Sequence, residues 1–279
     1  IDQVIANLVE NAVRHSPDGG GVRVAASANG GGVRFDVTDQ EAAIDKEIPL
    51  PDPKRFRPAA PLQADYDAIK EAAQLLSTAQ NPVILADYVG RNNDAVMSLV
   101  ALADLLSIPV IDFGARLNFP NTHSLNLTGR NRELIANADV ILGLDMTDLY
   151  GALVRSDPHT HANVPATKPG CKVINVTLKD IVVRSWTSDF QELAPVDVPI
   201  VANTRVFLPA LAEEIKKQGK FSKSVVDDRR KAMAGRHEEV HARWQADLKK
   251  RWDERPIAPP RLAYEIWEAL KKEDWLLVA

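Results

Sequence analysis

"NPVILADYVGRNNDAVMSLVALADLLSIPVIDFG" (residues 81–114) decides how this chain folds. Within it, "PVILAD" (82–87) is a short apolar run without polar alternation, the composition of a strand buried on both faces. "NDAVMSLVALADLLS" (93–107) then spaces apolar residues as one side of a helix does. "PVIDF" (109–113) returns to buried-strand composition. A strand, a helix and a second such strand make a βαβ unit, whose crossover sets the two strands parallel.

The same rhythm extends outward in both directions. Upstream lies the helix pattern "DYDAIKEAAQLLSTA" (65–79). Downstream come helix "NRELIANA" (131–138), strands "DVILGLD" (139–145), "CKVINVTL" (171–178) and "VDVPIV" (196–201), and helix "RVFLPALAEEIKKQ" (205–218), closing near Gly219. The fold class expected is therefore α/β, a Rossmann-like parallel sheet with flanking helices over residues 63–219. Residues 220–258 read as a charged helical connector with a solvent-facing surface, and 259–279 as the start of a further helix–strand unit.

The first 62 residues have a different character. "IDQVIANLVENAVRH" (1–15) is an amphipathic helix pattern stopped by Ser16, Pro17, Asp18 and a glycine run. "VRVAASANGGGVRFDVTD" (22–39) gives two alternating runs about Asn29 and three glycines, which predicts a hairpin. Pro49, Pro51, Pro53, Pro58 and Pro61 then mark residues 41–62 as an extended, semi-rigid linker. In "DVTDQEAAID" (36–45) a glycine-type loop changes at Glu41 into acidic and small residues, which reads as a seam between two pieces.

Bulk properties narrow the function. With 279 residues there is room for one large domain or two modest ones, and 45% hydrophobic content is globular. A net charge of −4 argues against a general nucleic-acid binder, and no apolar run is long enough to span a bilayer, so neither nucleic acid nor membrane is an expected partner. One cysteine, Cys171, and no secretory N-terminal pattern predict a reducing, cytoplasmic setting. The start at Ile1 and the apolar end "DWLLVA" lead to the expectation of a fragment.

"NLVENAVRHSP" with the glycines and "DVTDQ" that follow resembles the ATP-binding domain of sensor histidine kinases over residues 1–40. The resemblance implies that Asn11 orients Mg²⁺ with Asn7 in support, that Arg14 faces phosphate, and that Asp39 receives the adenine amino group. It covers only part of that domain: where the family continues D-x-G-x-G, this chain has Gln40, Glu41 and Ala42.

From residue 41 to 279 the phrases "AAQLLSTAQNPVIL", "LADLLSIPV" and "ADVILGL" resemble the central domain of thiamine-diphosphate-dependent, acetolactate-synthase-like enzymes, and "PPRLAYEIWEALKKEDWLLVA" resembles the opening of their pyrophosphate domain. The resemblance implies a parent that decarboxylates or ligates 2-oxo acids with thiamine diphosphate and Mg²⁺, and that works as a homo-oligomer. It implies also that the central domain is structural. The activating glutamate and the G-D-G metal motif belong to the neighbouring domains, so no catalytic residue is assigned within this chain and the cofactor site is expected outside it.

Some relatives hold FAD or ADP in the central domain. A ligand in a parallel sheet belongs at the strands' carboxyl ends, which nominates Asp87, Gly90, Asp112, Gly114, Arg116, Asp145 and Thr177. Against flavin, "LDMTDL" (144–149) replaces the G-x-R-F of flavin-binding relatives, and Val176, Thr177, Leu178 and Lys179 replace I-D-x-D. Acids in such positions also cap helices and close turns.

"HEEVH" (237–241) has zinc-peptidase spacing, but Glu239 inside a charged run favours a solvated helix face. "HTH" (159–161) reads as a loop between prolines, Cys171 as a buried inert thiol, and Trp244, Trp252 and Trp267 as anchors for helix packing or a subunit interface.

Overall fold

A computed structural model describes residues 23–29, 32–38, 55, 59–114, 116–179 and 192–273. The chain divides into two compact units, Ile1–Ala59 and Ala60–Ala279.

In the first unit, β1 (Arg23–Asn29) and β2 (Gly32–Thr38) pair antiparallel, with Arg23 opposite Thr38 and Asn29 opposite Gly32. That register leaves only Gly30 and Gly31 between the strands, the length a tight hairpin turn needs. The helix expected over 1–15 lies outside the described residues, as do Asn7, Asn11, Arg14, Asp39 and most of the proline-rich stretch.

The second unit is the expected parallel sheet. Its helices and strands run α1 (Tyr66–Thr78), β3 (Pro82–Ala86), α2 (Asn93–Leu106), β4 (Val110–Asp112), α3 (Asn131–Asn137), β5 (Val140–Leu144), α4 (Leu149–Leu153), β6 (Val154–Ser156), β7 (Asn163–Pro165), β8 (Lys172–Thr177), β9 (Val198–Val201), α5 (Thr204–Gln218), α6 (Lys223–Lys250) and α7 (Pro259–Leu270). The five-stranded sheet has the order β4-β3-β5-β8-β9, every pair parallel. Every residue of β3 and β5 is buried, which accounts for their unbroken apolar runs. At the edge, β9 alternates buried and exposed residues.

Polar caps set the helix boundaries. Asp65 accepts from the amides of Asp67 and Ala68 at the start of α1, Asn92 from Asp94 at α2, and Asn203 from Arg205 at α5. Helix α5 stops at Gly219, whose φ of 58° is the left-handed conformation that glycine takes most cheaply. The outer edge of β4 is covered by returning chain: Val110 donates to the Leu125 carbonyl, and its own carbonyl accepts from Leu127.

Helix α6 exposes most of its charged surface, as expected, but it also carries a narrow buried seam that the sequence reading did not foresee: Val226, Met233, Val240 and Leu248 recur every seven or eight residues and are buried. Polar groups on the same side fasten it to the segments that lead into β3 and β4. The Arg229 guanidinium donates to the carbonyls of Leu106 (2.6 Å), Ala79 (2.8 Å) and Gln80 (3.2 Å), and Arg230 pairs with Asp104. Arg229 thereby serves carbonyls at the C-terminal ends of both α1 and α2, which have no partner within their helices. His159 and His161 lie in a loop, as expected; it joins the antiparallel strands β6 and β7 and is closed by Asp157 accepting from the amides of His159 and Thr160. Strands of three residues are too short to show a period.

Of the tryptophans, Trp252 does anchor packing: Tyr264 of α7 meets it edge-on at 5.7 Å and Arg261 lies over its ring at 4.8 Å. Trp244 and Trp267 are exposed.

Candidate functional site

Strand β3 leads to β4 on one side of it and, after that, the chain crosses to β5 on the other. Such a reversal opens a crevice at the carboxyl ends of the two central strands, where open α/β sheets take ligands. What fills it here follows from the residues that end β3, β5 and β8.

Asp87 ends β3 and is buried. Its Oδ2 accepts from the Thr147 amide at 2.8 Å, and its own amide donates to the Leu144 carbonyl, so it ties the β3 exit to the β5 exit. Asp145 ends β5 with no exposed surface and a φ of 51°. Aspartate is among the few residues that tolerate this left-handed turn, and such conformations gather at sites under functional constraint. Its Oδ1 accepts from Arg91 Nη2 at 3.0 Å and its Oδ2 from Thr204 Oγ1 at 2.8 Å, at the first residue of α5. Just past β8, Lys179 donates from Nζ to Thr147 Oγ1 at 2.7 Å and lies 4.3 Å from the Tyr88 ring centre.

Two carboxylates and two cations therefore share one partly buried network. Burial pushes the Asp145 carboxyl above its usual range, against the opposing pull of the Thr204 hydroxyl, Arg91 and Lys179. Burial likewise pulls Lys179 down, opposed by Asp87 and Asp145. The arrangement is self-neutralising: an incoming phosphate would compete with Asp145 for Arg91 and with Thr147 for Lys179.

Of the residues nominated from sequence, Asp145 and Asp87 enter this network. Gly90 lies beside it for a steric reason, since a Cβ there would fall 2.2 Å from the Leu117 carbonyl oxygen, and its amide donates to Asn118 Oδ1. Asp112 is a turn closer. It accepts from the amides of Gly114, Asn118 and Phe119 and from Asn118 Nδ2, while Gly114 turns the chain at φ 83°. Arg116 is exposed and contributes its carbonyl to Asn118 Nδ2. Thr177 Oγ1 accepts from the Lys179 amide. Sequence reasoning missed Arg91, Thr147, Lys179 and Thr204. The signal for Lys179 was present, because it stands where the flavin-binding pattern carries an acid, yet it reads only as a loss until the fold turns it inward.

Among the described residues, no group of three His, Cys, Asp or Glu side chains could hold a metal ion. The "HEEVH" stretch keeps Glu238 and Glu239 exposed, while its two histidines are half-buried against neighbouring chain. His237 Nδ1 lies 2.8 Å from the Asn126 carbonyl and His241 Nε2 lies 3.3 Å from that of Asn121, while Glu239 pairs with Arg130. Both imidazoles fasten α6 to the chain beyond β4. Cys171 is half-buried, and burial together with Asp139 pushes its thiol up to about 11.

Residues 69–211 match the family model of the thiamine pyrophosphate enzyme central domain. Residues 1–64 match that of the histidine kinase-, DNA gyrase B- and HSP90-like ATPases. No curated protein matches the chain. Among solved structures, a candidate thiamin diphosphate-dependent enzyme isolated from Mycobacterium smegmatis aligns at 17% identity and TM-score 0.43, over 57% of this chain and 30% of that one. Benzoylformate decarboxylase from Polynucleobacter necessarius aligns at 21% identity and TM-score 0.44, over 61% of this chain and 30% of its own. The chain thus spans about 30% of the length of either structure.

Proposed function

The chain belongs to the thiamine pyrophosphate enzymes through their central domain, and from that premise we propose that residues 63–219 are the scaffold of an acetolactate-synthase-like enzyme that decarboxylates or ligates 2-oxo acids. In this reading the domain orders its neighbours in a homo-oligomer and does not itself hold thiamine diphosphate or Mg²⁺. The observation that carries it is the closed network at the sheet's carboxyl end, where Arg91 is bound to Asp145 and Lys179 to Thr147. A diphosphate needs cations and a metal free to receive its oxygens, and each of these cations already gives a hydrogen bond to a protein partner. On this reading the cofactor is held outside the described residues, and no catalytic step is derived through it. The thiamine chemistry belongs to the domains that flank this one in such an enzyme.

Calorimetric titration of the full chain with thiamine diphosphate and Mg²⁺ tests the assignment. No saturable heat is expected; binding at micromolar concentrations would overturn it.

A second reading rests on the match of residues 1–64 to the ATPase family. There Asn7, Asn11, Arg14 and Asp39 would hold ATP, with Asn11 on Mg²⁺. Substituting Asn11→Ala separates the readings, since unchanged ATP affinity removes this one. A nucleotide such as FAD or ADP at the switch point is a third, favoured by the strand order alone and opposed by the paired cations.

A further inference from the structure

Away from the sheet's carboxyl end, a cavity of about 230 Å³ lies between the last turn of α1, the end of α2 and the first turns of α6. Its polar lining is Ser77, Thr78, Gln80, Lys220, Ser222 and Arg229, and among the described residues no acidic one lines it. The rest of the wall is apolar, chiefly Leu76, Leu106, Phe221 and Val225.

Two donors of residues on this lining are buried without a hydrogen-bond partner among the described residues, Ser77 Oγ and Arg229 Nε. Ser77 is only 8% exposed. Buried polar atoms are nearly always satisfied, so two orphans on one cavity call for an acceptor. Arg229 spends its terminal nitrogens on the carbonyls of Leu106, Ala79 and Gln80, which leaves Nε–H over. Among the described residues no carboxylate stands within ion-pair distance of it. The acid it feels, Asp139, already accepts from the amides of Gln80 and Asn81 at 2.7 and 2.9 Å. Helix α6 also opens toward the cavity with a free end: Ser222 at its N-cap gives no side-chain acceptor to the first turn and bonds instead to Ser224 Oγ. Such an end favours negative charge.

We propose that this cavity binds a small carboxylate with a short aliphatic chain, its head on Arg229 Nε, Ser77 Oγ and the α6 amides, and its chain against Leu76, Leu106 and Phe221. Lys220, exposed at the rim, adds the second positive charge. Inorganic phosphate satisfies the donors but leaves the apolar wall without a partner, and a neutral alcohol does the reverse. The site lies at the junction of α6 with the sheet domain, so occupancy braces the helix clamp that Arg229 forms.

The test is titration of the full chain with hexanoate, with inorganic phosphate and 1-hexanol as separate arms, read by methyl NMR on Leu76, Leu106 and Val225. Hexanoate is expected to saturate with an affinity on the order of millimolar and to shift these methyls. Lys220→Glu should weaken it about tenfold, and Ser77→Ala severalfold, each with unfolding like that of the parent chain. Absence of saturable hexanoate binding overturns the proposal. So does hexanol binding as well as hexanoate, phosphate binding in its place, or indifference to Lys220→Glu.

Discussion

Arg91 Nη2 stands 3.0 Å from Asp145 Oδ1, in a pair whose guanidinium keeps about a third of its surface in solvent while the carboxylate keeps none. The pair closes the crevice between β3 and β5 from inside the protein. Its chemistry is that of a buried ion pair, in which removing one partner is far costlier than neutralising it.

Asp145 therefore gives an asymmetric mutational response. Asn at this position preserves an acceptor for Arg91 and can donate to the Thr204 hydroxyl, whereas Ala strands the guanidinium. Asp145→Ala should cost about 3 kcal/mol and Asp145→Asn less than about 1 kcal/mol, read from urea unfolding at pH 7. The native carboxyl is raised above its ordinary 3.8, so the stability that its titration adds is fully present below that value and is lost as pH rises through the native one, while the bonds to Arg91 and Thr204 remain. Asp145→Asn should flatten this part of the stability–pH curve. An unchanged curve would show that Asp145 does not titrate there.

Gly90 is held by contact rather than by backbone conformation, with the Leu117 carbonyl where a side chain would begin. Gly90→Ala should destabilise by about 2–3 kcal/mol, with the largest amide shifts at residues 116–118. A loss under about 0.5 kcal/mol would mean that the loop yields freely.

Much of this architecture is legible in the sequence because its cause is local. The runs 82–87 and 139–145 are apolar throughout because β3 and β5 are covered on both sides, and Asp65, Asn92 and Asn203 fix helix starts by bonding amides two or three residues on. The network at the crevice is a different matter. Arg91, Asp145 and Thr204 are far apart in the chain and meet only because the sheet order brings β3, β5 and the start of α5 together. Asp112 was readable either as a ligand or as a turn closer, and four hydrogen bonds from residues 114–119 decide for the turn. In α6 the buried seam has only one apolar residue every seven or eight positions, which the surrounding charge hides.

Arg229 is the fastening of α6. Arg229→Ala removes three bonds to carbonyls at the ends of α1 and α2, and should cost about 3 kcal/mol while making α6 the first site of limited proteolysis. Arg229→Lys keeps the charge but not the fork, and should fall between. Equal stability of all three proteins would contradict the clamp.

Cys171 should react slowly. With its thiol pushed up to about 11 from 9.0, the thiolate fraction at pH 7.5 is roughly a hundredfold below that of an unperturbed thiol. Iodoacetamide labelling should therefore be about two orders of magnitude slower than in the urea-unfolded chain, and should accelerate steadily to pH 10. Equal rates in the folded and unfolded chains would place the thiol in free solvent.

The central claim is that this domain is a scaffold interchangeable with those of its family. It is tested most directly by replacing the central domain of an acetolactate synthase with residues 60–250 of this chain and measuring carboligation of pyruvate with thiamine diphosphate and Mg²⁺. The account predicts an oligomeric chimera that forms acetolactate, and whose activity persists when Arg91 and Lys179 are both changed to Met. A folded, oligomeric chimera whose activity vanishes with those two cations would contradict it, because the domain would then be supplying the chemistry rather than the frame.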